Sequence, residues 1–286
     1  MRKELLNRFL EQKTAVLGAS IIFLLLMMGL SAKVIAPHDP YAVDLTKKLL
    51  LPCAEFPLGS DQLGRCIFSR IVFGIRTSLA TAFVTTILIV LIGVPLGIVA
   101  GYIGGIMDSF IMRLTDIVST FPSSLLALAV VGVFGPSLPN LILVFVGLWW
   151  APFARIVRGT VKKLKESDFV LAAITAGDSH ITIIMKHIMI NAISPVIVLA
   201  TLRIAAVIVH VAGFSFIGLG SQPPISDWGV MLNDARQYLT SRPLMMLWPG
   251  LAIMISVCAF NMLGEGMNEA FLPTSGEGKV KEDAGI

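Results

Sequence analysis

Residues 78–101 read SLATAFVTTILIVLIGVPLGIVAG, a stretch without one charged side chain. A helix needs about 20 mostly apolar residues to cross the hydrocarbon core of a bilayer, so this segment is long enough to span. Its apolar residues are continuous rather than alternating, which excludes the strand pattern of a membrane barrel. Similar blocks occupy residues 15–36, 118–134, 138–156, 192–218 and 244–263. The whole chain is 56% hydrophobic and 14% charged, with a mean hydropathy of +0.85. Soluble domains carry about 25% charged residues, so this composition cannot cover a globular surface. The expectation is an all-α membrane protein with six spans.

The first block follows Arg2, Lys3, Arg8 and Lys13, the basic start of a secretion signal. Its apolar run exceeds the roughly 7–15 residues of a signal core, so it reads as a retained helix. The formal charge of +4 is too small and too scattered for the basic stripe of a nucleic-acid binder. Three cysteines do not make a disulfide framework. Cys258 falls in the last block as a small packing residue, and Cys53 and Cys66 share the first long loop as a disulfide or as two separate thiols.

Basic residues fix the expected orientation. The N-terminus is basic, and Arg155, Arg158, Lys162, Lys163, Lys165 and Lys186 crowd the segment between the fourth and fifth blocks. Residues 135–140 have no basic side chain. Both termini are therefore expected in the cytoplasm. Lys47, Lys48, Arg65, Arg70 and Arg76 in the first loop do not follow the pattern. Trp149 and Trp150 are expected near the inner end of span four, with Trp228 and Trp248 flanking the outer side as an aromatic belt.

No carboxylate falls in the middle of a block. Proton- or sodium-coupled carriers often use intramembrane acids, so this absence counts against a self-sufficient secondary carrier. Arg203 and His210 do lie inside span five. Seven residues separate them, close to two turns, which places them on one face about 10 Å apart. Buried ionisable groups are costly in lipid and are functional candidates; the alternative is a hydrogen bond to a neighbouring helix or subunit. Ala200, Ala205, Ala206, Ala212, Gly213, Ser215, Gly218 and Gly220 make the same span rich in small residues. Such a helix either packs closely against a partner or lines a central passage.

Residues 158–191 are too polar to span and too long for a simple turn. They read as short amphipathic helices broken at Gly177, where glycine permits a turn, with Asp178 and Ser179 capping a helix over 181–190. This surface lies on lipid headgroups or docks a soluble partner.

Residues 169–177, FVLAAITAG, followed by HIMIN at 187–191, resemble the E-A-A…G…I-x-L-P loop of ABC importer permeases. Leu171 stands in place of the glutamate and Ile190 in place of the proline, while Ala172, Ala173 and Gly177 match. LGSDQLGRCIFSR at 58–70 is similar to the external stretch of the peptide/nickel permeases, with Cys66 where aspartate is usual. Gly104-Gly105, Asp108, Met112-Arg113, Asp116 and Phe121-Pro122 fit that family's second-to-third span junction. SFIGLG at 215–220, Pro223-Pro224 and Trp228-Gly229 fit its later signature.

The resemblance implies a six-transmembrane-helix ABC importer permease of type I with a cytoplasmic coupling helix. Its parts would be residues 1–36 (N-terminus and first helix), 37–76 (external loop), 77–270 (five-helix core with coupling loop 158–191) and 271–286 (cytoplasmic tail). It also implies a homologous second permease, two ATP-binding subunits and an external solute-binding protein. Leu171, Ala172, Ala173, Gly177 and Asp178 would couple to the ATPases. The chain has no GxxxxGK[ST] phosphate loop, so it is read as a non-catalytic subunit with no cofactor of its own.

His210-Val211-Ala212-Gly213, WGVMLNDARQY at 228–238 and Leu171 look most like the nickel-type branch. Imidazole and thioether groups suit late transition metals, which makes His210 and Met231 candidate transient contacts for nickel as substrate. Arg203 would repel a bare divalent cation two turns away, so a chelated, less positive complex is easier to accept. A dipeptide or oligopeptide permease and an ion-coupled carrier are the alternatives.

Overall fold

A computed structural model describes residue 7 and residues 9–271 of the chain. The readings that rest on residues 1–6, 8 and 272–286, the basic N-terminus and the tail, lie outside them. Nine helices carry the architecture among the described residues: α1 Lys13–Leu30, α2 Ile67–Ile103, α3 Gly105–Thr120, α4 Ser123–Phe134, α5 Leu138–Lys165, α6 Asp168–Thr175, α7 His180–Phe216, α8 Trp228–Ala235 and α9 Leu244–Phe271. The β structure there amounts to one isolated bridge between Ser60 and Cys66.

Five helices, α1, α2, α5, α7 and α9, are each long and apolar enough to cross a membrane. The third span is not the straight run over 118–134 that its hydropathy suggests. It is the pair α3 and α4, bent by 76°. The physical cause is Pro122: its ring forces Phe121 out of the helical region, and Phe121 is extended at φ −81°, ψ 119°. Counting this pair as one broken span gives six.

Span two starts at Ile67 rather than at Ser78. Its 37 residues reach about 55 Å, so the helix projects beyond a ~30 Å hydrocarbon core and takes up the end of the expected external loop. Span four likewise continues through Lys165, which leaves Trp149 and Trp150 mid-helix rather than near its inner end. The helix foreseen over 181–190 is not a separate surface element. It is the first part of α7, joined to the span through a π-helical segment, Ile183–Ile188. Prolines sit within all four of the longest helices, Pro95, Pro152, Pro195 and Pro249, as membrane helices tolerate where neighbours satisfy the freed backbone groups.

Packing rests on close backbone approaches. Gly93, Gly97 and Gly101 recur every fourth residue and so share one face of α2. A Cβ at Gly97 would lie 2.6 Å from the Ala154 carbonyl oxygen of α5, and one at Gly93 or Gly101 would be as crowded. Gly18 meets α9 in the same way, and Gly264 of α9 meets Leu202 of α7. The main core joins Leu79 and Ala82 of α2, Phe145 and Leu148 of α5, Ile208 and Phe214 of α7, and Phe260 of α9. Trp228 is fully buried in it, donating Nε1–H to the Ile71 carbonyl at 3.1 Å. This indole is a core wedge between α8 and α2, not part of an interfacial belt. Cys53, Cys66 and Cys258 are free thiols; Cys66 is buried, while Cys258 is exposed on α9 rather than packed.

Candidate functional site

Three parts of the molecule bear on function: a cytoplasmic elbow (in the expected orientation), a polar face on α7, and a charge cluster at the opposite end.

The elbow is built from α6 and the start of α7. Val170 and Ala173 turn inward and join Ile98, Tyr102, Val157, Val161, Ile183 and Ile188 in a small core. Gly177, at φ +86°, closes α6. Its N–H donates to the Ile174 carbonyl at 3.0 Å, and the Asp178 N–H donates to that of Ala173 at 3.1 Å, the paired bonds of a Schellman stop. Of the two expected caps, Ser179 alone acts, accepting from the Thr182 N–H at 3.2 Å. Asp178 instead lies 3.7 Å from His187. The Tyr102 hydroxyl is 2.8 Å from His180 Nδ1, and Lys165 Nζ donates to the Tyr102 carbonyl at 2.7 Å. The elbow is thereby tied to the ends of α2 and α5.

Of the residues expected to couple, Leu171, Ala172, Gly177 and Asp178 are exposed on the elbow. Ala173 faces inward and holds the elbow down. Ile174, Ile181 and Met185 add to the exposed apolar surface. Behind it, α3 is clamped to α5: Asp108 accepts from Arg158 Nη2 at 2.8 Å and from Lys162 at 2.7 Å, and Asp116 pairs with Arg155 at 2.9 Å. These basic side chains are thus partners of α3 carboxylates as well as topology signals.

On α7, Arg203 and His210 converge on one indole. The Arg203 guanidinium lies 5.0 Å from the Trp149 ring and 6.0 Å from that of Phe153, within cation–π reach. The His210 ring stands edge-on to Trp149 at 4.9 Å. His210 is exposed, and its Nδ1 lies 2.8 Å from the Ala206 carbonyl. A carbonyl only accepts, so Nδ1 carries the proton and, in neutral imidazole, Nε2 keeps a free lone pair. Met231 does not join them. It is buried in the core of the bundle on α8. Among the described residues no three His, Cys, Asp or Glu converge to hold a metal ion.

Sequence reasoning missed the third feature. Asp61 Oδ2 accepts from Arg65 Nε and from Arg70 Nη1, both at 2.6 Å. Asp234 Oδ2 accepts from Arg65 Nη2 at 3.0 Å and from Arg70 Nη1 at 3.1 Å. Asp61, Arg65 and Arg70 are each at most 3% exposed. This cluster pins the loop before α2 to α8. Arg65 in that loop and Arg70 on α2 are therefore buried and neutralised by Asp61 and Asp234, so neither is a free loop charge of the kind the positive-inside pattern counts.

Residues 93–275 match the family described as binding-protein-dependent transport system inner membrane component. The chain belongs to this family. Residues 1–52 also match the N-terminal transmembrane domain of oligopeptide transport permease C. The chain is 43% identical to the nickel transport system permease protein NikC of Escherichia coli K12, over 94% of this chain and 97% of that one. It is 41% identical to the metal-staphylopine import system permease protein CntC of Staphylococcus aureus, over 94% and 93%. To the dipeptide transport system permease protein DppC of Alkalihalophilus pseudofirmus it is 38% identical, over 95% and 89%. A solved inward-facing MetNI methionine ABC transporter shares the fold, with a TM-score of 0.53, 18% identity and coverage of 70% of this chain and 94% of that one. This ABC importer permease is thus a multi-pass protein of the inner membrane.

Proposed function

We propose that this permease forms one half of a passage that admits nickel as a chelate of low positive charge. The observation that carries the reading is the Arg203–Trp149–His210 group. His210 is exposed and keeps Nε2 free for a passing metal. Arg203 has no carboxylate partner among the described residues and would donate to a carboxylate of the chelator. Bare Ni²⁺ would be repelled by the same guanidinium. A single imidazole without converging ligands gives a contact weak enough to release its cargo. The likeness to NikC and CntC supports metal as the cargo; the likeness to DppC favours a second reading, a dipeptide whose carboxylate meets Arg203.

Energy enters from outside the chain. Two ATP-binding subunits dock on the exposed side of the elbow around Leu171, Ala172, Gly177 and Asp178, a homologous permease completes the passage, and an external binding protein delivers the solute. Both termini are cytoplasmic. ATP-driven closure of the ATPases tilts α2 and α5 through the Tyr102 and Lys165 tethers and alternates access.

Uptake of labelled nickel, supplied free and as a polycarboxylate chelate, tests the substrate. Arg203→Ala is expected to lower chelate uptake on the order of tenfold and to leave free nickel less affected. Equal effects on both discard the chelate. Strong competition by a dipeptide mixture would favour the second reading.

A further inference from the structure

Arg76 has no role in the elbow, the α7 face or the charge cluster, yet it lies on a helix that crosses the membrane. Its side chain is exposed. Among the described residues no carboxylate pairs with it and no protein acceptor takes a hydrogen bond from its guanidinium. An arginine exposed on a membrane-crossing helix without a protein partner is costly in lipid unless water or a phosphate meets it.

Its depth can be placed from α1. Arg76 packs beside Gly29, where a Cβ would lie 3.6 Å from Arg76 Cγ. Gly29 is sixteen residues along α1 from Lys13, about 24 Å. With a hydrocarbon core ~30 Å thick, Arg76 stands close to the membrane boundary opposite Lys13. An apolar groove of about 230 Å³ opens directly below it between α1 and α2, lined by Leu26, Leu30, Ile75, Leu79, Ala80 and Phe83. From Arg76 to Phe83 is seven residues down the helix, about 10 Å toward the bilayer centre. Gly29 contributes no side chain to fill the space.

A cation at the boundary above an apolar channel that descends into the membrane has the shape and charge of one ligand class. We propose that the α1–α2 groove is a phospholipid site, with the phosphodiester on Arg76 and an acyl chain along Leu79, Ala80 and Phe83. A guanidinium binds phosphate through paired, charge-assisted hydrogen bonds, and the chain buries apolar surface that the helices leave uncovered. The bound lipid would also add to the packing of α1 on α2 that Ile22 makes with Ile75 and Leu79.

Native mass spectrometry of the intact transporter, delipidated and titrated with phosphatidylglycerol, tests the site. Wild type is expected to retain the lipid, and Arg76→Gln to weaken retention about tenfold or more. Arg76→Lys should lose less, because it keeps the charge without the fork. Ala80→Phe fills the groove and should weaken retention with Arg76 intact. Equal retention by wild type and Arg76→Gln overturns the proposal. So does equal retention of dioleoylglycerol, which lacks the phosphate, or displacement of the lipid by inorganic phosphate. A photocrosslinker at position 80 that captures another subunit in place of phospholipid also overturns it. If the variants fail to assemble, wild type still decides: phosphatidylglycerol should raise its melting temperature and dioleoylglycerol should not.

Discussion

Asp61→Asn is expected to abolish recovery of folded protein, or to lower its melting temperature by more than any other single-charge change. The Asp61 carboxylate holds two guanidiniums that are nearly inaccessible to water, and its other oxygen accepts the Leu63 and Arg65 N–H groups at 2.8 and 3.0 Å. Asparagine keeps the shape but removes the charge. Two arginines then share the single carboxylate of Asp234, and Arg70 already has Nε and Nη2 without partners. Breaking a buried pair from one side costs about 3–5 kcal/mol, a large part of a typical stability of about 5–15 kcal/mol. Combining Asp61→Asn with Arg65→Met restores the charge balance and should recover part of the loss. A thermal melt of the detergent-solubilised variants decides the matter; an unchanged melt for Asp61→Asn would mean that the cluster is not closed as described.

Gly97→Leu should be nearly as damaging, for a steric reason. The atoms a Cβ would strike are the Ala154 carbonyl oxygen at 2.6 Å and Val157 Cβ at 2.7 Å. Neither can swing aside, so α2 and α5 must separate. Overpacking costs about 1–3 kcal/mol and occasionally more, and here the displaced helix carries both Trp149 and the basic side chains that clamp α3. Gly159→Ala is the control on α5 itself. Nothing lies within 4 Å of the Cβ it adds, and alanine favours the helix by about 1 kcal/mol over glycine. Lower yield and a lower melt for Gly97→Leu with a neutral Gly159→Ala is the expected pattern; equal tolerance of both would contradict the close approach.

The spans were legible because a continuous apolar run of bilayer length has few other uses in a chain. Their ends were not. Ile67 to Thr77 carries two arginines, and hydropathy reads such a stretch as a loop until Asp234 is known to neutralise Arg70. That carboxylate is far along the chain, and nothing in the local sequence announces the pairing. The Phe121-Pro122 step was visible as a junction, but a proline marks where a helix breaks and not the angle, here 76°, at which the chain leaves it. Gly177 was legible as a break because a single glycine can act through φ alone. The continuity of α7 through His180 was not, since its polar start resembles a surface helix until Ile183 and Ile188 are seen buried. Arg203 and His210 were placed on one face by helical spacing alone. Their common partner Trp149 belongs to another helix, and Met231 was drawn in by its chemistry when its position is in the core.

The permease is expected to move solute only when other subunits hydrolyse nucleotide. Uptake of labelled nickel chelate into vesicles should be measured with the permease pair alone and again with the ATP-binding subunits and ATP present. Accumulation confined to the second preparation, and lost when the ATP is replaced by a non-hydrolysable analogue, is the predicted result. Accumulation against a gradient by the permeases alone would contradict it.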